Sequence, residues 1–160
     1  MQVPSPISLS TYGGHRKGKR GWGAAGKCIV FGLFQRNGKV LVFPVPHRRA
    51  SELIPLITAH TQASSLYYTD NWQAYTWLSV KGKHVVVQKD DGVPRKKGRD
   101  HINGIEGFWS YSKNWLYQYR GIPQSHLPLY LKETEFRFNY RDHDLFELMT
   151  ELLTKNRSNT

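Results

Sequence analysis

The 160-residue chain predicts an α/β fold: one mixed five-stranded sheet flanked by helices, with a helical C-terminal region. Three observations point there. Residues 28–35 (CIVFGLFQ) and 39–45 (KVLVFPV) are apolar runs separated by Arg36-Asn37-Gly38, and Asn-Gly between such runs is a strong hairpin signal. From residue 51 onward, helical and strand-like stretches alternate, as they do around a mixed sheet. Beyond residue 103 the pattern is helical nearly to the end of the chain.

Taken in order, residues 7–12 (ISLSTY) read as the first strand from their Ile, Thr and Tyr content, with Pro4 and Pro6 keeping the stretch before it out of a central sheet position. Residues 15–27 (HRKGKRGWGAAGK) hold too much glycine and charge for a regular element and predict a loop. The hairpin supplies strands two and three. Cys28, the single cysteine, sits in an apolar run and reads as a small core residue; alone, it can form neither an internal disulfide nor a cysteine-paired zinc ribbon. Ser51 is the expected N-cap of a helix through ELIPLITAH, with Pro55 near its start. Residues 64–70 (SLYYTD) form a fourth strand ending in a carboxylate, 71–79 an aromatic-rich helix, and 84–88 (HVVVQ) a fifth strand. After the charged loop KDDGVPRKKGRD comes a helix over 103–119, a break at Gly121-Ile122-Pro123, and helix again from Ser125 through FRFNYRD onward.

Hydrophobic residues at 39% and aromatics at 13% argue for a real core. A formal net charge of +11 favours polyanionic partners, and nucleic acid over membrane, since no apolar run approaches the length of a membrane span. No secretory signal core is visible at the N-terminus, so a reducing compartment is expected.

Asp70 at a strand end and Glu106 on the long helix could share a divalent ion, since oxygen ligands suit Mg²⁺ and Mn²⁺. Lys113 lies about two helical turns beyond Glu106, on the same helix face, where it could track a phosphate. On composition alone the blander alternative is favoured: Asp70 opens a turn, and a Glu–Lys helix face is solvated.

The stretches YTDNWQAY, HINGIEGFWSYSK and LKETEFRFNYR, preceded by TYGGHRKGKRGWGAAGK and VFGLFQRNGKV, shift that balance. In unbroken order from about residue 7 to residue 141, they resemble bacterial insertion-sequence transposases with a DDE nuclease core, the ISXO-like branch. The resemblance implies a ribonuclease-H-like fold with acidic metal ligands on the first strand, the fourth strand and a later helix. It further implies a core over residues 1–141, with an altered or truncated first strand, and a C-terminal helix and tail over 142–160. Asp70 matches the second acidic ligand, Glu106 the third, and Lys113 the basic residue that follows. The implied chemistry is cleavage and transfer of DNA strands at two Mg²⁺ or Mn²⁺ ions about 3.5–4 Å apart, joined by a bridging carboxylate. The implied partners are the element's DNA ends and its target DNA, with a homo-oligomer on DNA. The implied setting is the bacterial cytoplasm, at the nucleoid.

In that family the bridging carboxylate belongs to an Asp-Glu pair just before a (Ser/Thr)-aromatic-x-Gly-Gly stretch. Here those positions are Ser8 and Leu9, and residues 1–51 contain no Asp or Glu at all. Serine is a neutral, weak metal ligand, so the expectation is impaired catalysis despite the transposase architecture. Asp90, Asp91 and Asp100 read as exposed loop acids, not replacements.

Two basic clusters, Arg16, Lys17, Lys19 and Arg20, then Arg95, Lys96, Lys97 and Arg99, fall on glycine-containing loops flanking the acidic residues and predict salt-sensitive DNA contact. Trp22 could stack on an unpaired base or pack over the sheet. Trp72, Tyr75, Trp77, Phe108, Trp109 and Trp115 read chiefly as core. Asn103 reads as a helix cap, and Glu133 and Glu135 as one exposed helix face. His101, just upstream of Glu106, could orient a phosphate or a metal-bound water. A non-catalytic DNA-binding remnant or regulator is the alternative to an impaired transposase core. The family's N-terminal zinc-ribbon region is not matched.

Overall fold

The computed structural model describes residues 4–13, 27–35, 38–61, 65–69, 83–86, 103–119 and 122–157. Among them the order is β1 (Pro4–Tyr12), β2 (Cys28–Phe34), β3 (Val40–Val45), α1 (Ala50–His60), β4 (Leu66–Thr69), β5 (Lys83–Val86), α2 (Asn103–Tyr117), α3 (Leu127–Asn139) and α4 (Leu145–Arg157). The helix expected over 71–79 and both basic loops lie outside the described residues. So do Asp70, Trp22 and His101. No helix among the described residues is long and apolar enough to cross a membrane.

The strands form one mixed sheet in the order β3-β2-β1-β4-β5. β1, β2 and β3 run as an antiparallel meander, with Ser8 opposite Gly32 and Gly32 opposite Val42. Gly38, at φ +91°, turns the β2–β3 hairpin, which Gln35 and Lys39 close through a 2.8 Å backbone bond. On its other side β1 pairs in parallel with β4 (Pro6 opposite Tyr68), and β4 with β5.

Contrary to expectation, Pro4 and Pro6 belong to this central strand. Pairing with β2 begins only at Ile7, so the prolines fall where β1 has one open edge and a residue without an N–H is tolerated.

Alternation along the strands divides the core in two. Ile7 of β1 and Phe31 and Leu33 of β2 join Leu53 and Ile57 of α1 on one face. Tyr12 of β1 and Val30 of β2 join Phe108, Trp109 and Leu131 of α2 and α3 on the other. Cys28 is half-buried against this second cluster, and burial pushes its thiol pKa up.

Three local expectations are corrected. α1 begins at Ala50, so Ser51 lies inside it and Arg49 is the N-cap, with no side-chain cap bond. Glu52 instead reaches back to accept the backbone N–H of His47 at 2.9 Å. The single helix expected from Ser125 onward is two, α3 and α4, interrupted at 140–144. Asp144 starts the second, its Oδ1 accepting the N–H groups of Phe146 and Glu147 at 2.9 and 3.2 Å. Glu135 is not part of an exposed face: its Oε2 accepts the backbone N–H of Val42 at 2.7 Å on the outer edge of β3.

One helical turn further, Asn139 grips the same edge. Its Oδ1 accepts from Val40 N–H at 2.7 Å, and its amide donates to the Val40 carbonyl at 2.8 Å. Four helix residues rise about 6 Å and two strand residues about 6.8 Å, so Glu135 and Asn139 match every second residue of the strand. The side chains of α3 thereby satisfy backbone groups that an edge strand otherwise offers to another chain. Glu135→Ala combined with Asn139→Ala is expected to lower unfolding stability by about 1–3 kcal/mol, read as a lower urea midpoint, and to promote aggregation.

Candidate functional site

β1 presents Ser8, Ser10 and Tyr12 to the α2 face and Ile7 and Leu9 to the α1 face, as the two-residue period requires. Ser8 and Ser10 are buried. Ser8 and Leu9 therefore point to opposite sides of the sheet, and Leu9 packs with the Ile7–Phe31–Leu53 cluster.

α2 runs over this surface alongside β1. Near its start, a Cβ placed at Gly104 would fall 2.3 Å from the Phe34 ring at the far end of β2. A Cβ placed at Gly32, opposite Ser8, would fall 2.6 Å from Trp109 Cζ2 and 2.9 Å from Ile105 Cδ1. The turn of α2 that carries Glu106 thus lies over the Ser8–Gly32 pair. Farther along, the Tyr12 hydroxyl donates to Ser112 Oγ at 2.8 Å in the buried interface. Burial holds the phenol pKa above its ordinary value, so it remains a donor.

Side chains on α2 are sorted by flank. Phe108 and Tyr111 face α3, with ring centroids 5.2 and 5.5 Å from Phe138. Glu106 and Lys113, about two turns apart, share the other flank of the helix, on which Lys113 lies toward β1. Lys113 Nζ stands 6.0 Å from the centroid of the Tyr12 ring. Glu106 is half-buried and Lys113 exposed. β4, the parallel neighbour of β1, ends at Thr69, the residue before Asp70. Asn103 is the first residue of α2.

Of the residues singled out from sequence, the structure places Ser8, Glu106 and Lys113 on one side of the sheet and separates Leu9 from them. Asp70 and the eight basic loop residues lie outside the described residues. Among the described residues, no three of His, Cys, Asp and Glu gather closely enough to hold a metal ion. The Tyr12–Ser112 bond joins residues 100 positions apart and left no local signal in the sequence.

With this geometry in view, the model of the ISXO2-like transposase domain family matches residues 7–139, most of the chain. The chain belongs to this family. An uncharacterized transposase-like protein of Haemophilus influenzae (strain ATCC 51907 / DSM 11121 / KW20 / Rd) is 35% identical over 102 residues, covering 63% of this chain and 81% of that protein. Among solved structures, the catalytic core domain of BIV integrase superposes with a TM-score of 0.53 at 14% identity, over 95% of this chain and 97% of that one. That likeness carries the fold, and the transposase domain has the ribonuclease-H-like α/β architecture expected from its motifs.

The indole N–H of Trp109 is buried without a hydrogen-bond partner among the described residues, so packing holds that ring against Gly32. Gly32→Ala in the transposase domain is expected to lower unfolding stability by about 1–3 kcal/mol, measured by thermal or urea denaturation, because the rigid indole cannot yield cheaply to a methyl group.

Proposed function

We propose that this transposase-family domain binds DNA and is impaired in cutting and joining it, because its site lacks the carboxylate that would bridge two metal ions. One observation carries the reading: Ser8, at the position matching the family's first acidic ligand, is buried on the α2 face of β1 beneath the turn that carries Glu106. A bridging ligand between two divalent ions must bring negative charge and two oxygens, and a serine hydroxyl brings neither charge nor a second oxygen. Leu9 cannot substitute, since the strand turns it into the opposite core. The donor set does not fit a pair of Mg²⁺ or Mn²⁺ ions. Of the positions that match the family's acidic ligands, Asp70 and Glu106 are left, enough for a single ion at most.

DNA contact falls to the cations. Lys113 projects on the same flank as Glu106, and Arg16, Lys17, Lys19, Arg20, Arg95, Lys96, Lys97 and Arg99 supply much of the net charge of +11. Phosphate contacts of this kind position DNA without reading its sequence. In this reading residues 1–141 form the core, 142–160 are appended to it, and the domain works on element ends and target DNA at the bacterial nucleoid. The Ser8 observation also favours the non-catalytic variant of the reading, a regulator that occupies DNA ends without cleaving them.

Activity is tested by Mn²⁺-supported nicking and strand transfer on DNA carrying the element's terminal repeats. The unaltered chain is expected to give little product and Ser8→Asp to raise it. Leu9→Glu is expected to yield no activity and to lower stability by about 1 kcal/mol, since Leu9 is half-buried against the α1-side core. Robust turnover by the unaltered chain would overturn the proposal.

Binding to a short duplex is expected to weaken steeply with salt. Lys113→Ala should reduce the slope of log K against log[salt] by about 0.9, the share of one phosphate contact. A slope near zero for the unaltered chain would remove DNA as the partner.

A further inference from the structure

Several cations of the domain stand over aromatic rings, and Lys113 differs from the rest in what else holds it. Lys132 lies over the Phe43 ring but also donates to Glu135 Oε2. Arg137 lies over Trp115 but donates to Glu133 Oε1. Arg141 lies over Phe138 but donates to the carbonyls of Gly38 and Phe138. In each of these the charge already meets an acceptor. Lys113 is exposed, its Nζ stands 6.0 Å from the centroid of the Tyr12 ring, and no carboxylate pairs with it among the described residues.

That ring is itself fixed. Tyr12 is buried at the end of β1, and its hydroxyl donates at 2.8 Å to Ser112 Oγ, on the residue before Lys113. Edge contact with Trp109, one turn earlier on α2, sets its tilt, with centroids 6.3 Å apart and planes at 63°. The ring is thus tied to the same stretch of helix from which Lys113 projects.

A carboxylate in its place would hold the ammonium as firmly, yet it would repel a phosphate and occupy the N–H donors. An aromatic face attracts a cation through its quadrupole, carries no net charge and leaves those donors open. Lysine gives up much rotamer freedom when it seats on a ligand, and one already resting on a ring has given up part of it beforehand.

We propose that Tyr12 is a positioning residue for Lys113, its pinned ring holding the ammonium on the Glu106 flank of α2 where it meets a DNA phosphate. The ligand rests on the DNA reading above; the placement of the ammonium rests on the ring.

Two measurements on the full chain separate these. In the free protein, NMR is expected to show the side-chain methylene protons of Lys113, assigned by comparison with Lys113→Ala, moved upfield by the ring current. Tyr12→Phe should keep that shift and Tyr12→Leu abolish it. On a short duplex at fixed salt, Tyr12→Leu should weaken binding about two- to fivefold, the worth of an exposed cation–ring contact. Tyr12→Phe should bind as the unaltered chain does, and Tyr12→Leu should have no effect once Lys113 is replaced by Ala. A merely structural Tyr12 would weaken binding in both backgrounds. Methylene protons at ordinary positions in the unaltered chain, a loss of binding in Tyr12→Phe equal to that in Lys113→Ala, or a Tyr12→Leu penalty that persists without Lys113 would each overturn the proposal; the first two readings stand even where Tyr12→Leu does not fold. Shifted methylene protons in a chain that binds no DNA would overturn the DNA reading and with it the ligand assigned to Lys113.

Discussion

The geometry of the site depends on how closely α2 approaches the sheet at Gly32. Any side chain there would collide with Trp109 and Ile105. Without one, the helix settles onto β2 and β1 with its second residue pressed toward Phe34 and its tenth bonded to Tyr12. That approach, repeated at Gly104, fixes the helix in translation and rotation together, because two contacts along the axis and one buried hydrogen bond leave no room to slide or roll. Glu106 and Lys113 inherit their direction from it. They lie on the β1 flank because Phe108 and Tyr111 are committed to Phe138 on the other.

A second constraint secures the opposite end of the sheet. β3 is an edge strand with buried valines at 40 and 42, so its side chains cannot carry the charges that usually guard an edge. α3 supplies polar groups from outside, and Arg141 continues the line by donating to the Gly38 carbonyl at 3.2 Å. The helix that shields the edge also bears Phe138, against which α2 is seated. Edge protection and site orientation thus act through one element.

Features encoded within a few residues were legible from sequence, and those decided by distant partners were not. Asn37-Gly38 and the apolar runs beside it announced the hairpin, and the Ile, Thr and Tyr of ISLSTY placed residues 7–12 of β1. The motif around Glu106 identified the family across most of the chain. Glu135, among alternating charges, reads as solvated because its partner, Val42, lies 93 positions earlier. Ser51 has the better capping side chain, yet the helix begins one residue before it, at Ala50, with Glu52 bonded back to His47. The break between α3 and α4 did leave a local mark in Asp144, outweighed by the helical pattern on either side. Ser8 and Leu9 read as one doublet because they are adjacent, although alternation within the same strand already assigns them to different cores.

That separation bears on how the domain tolerates the serine. A carboxylate at position 8 would be nearly enclosed beneath the Glu106 turn, where like charges and lost hydration make ionisation costly unless a cation compensates both. Sites of this kind trade stability for chemistry. Serine removes the charge but keeps a small polar group that β1 can bury opposite Gly32 with no change to the packing of α2. Serine at this position is thus a residue that the sheet accepts at little cost. Nothing comparable holds for Leu9, whose apolar packing against α1 belongs to the stability of the sheet itself.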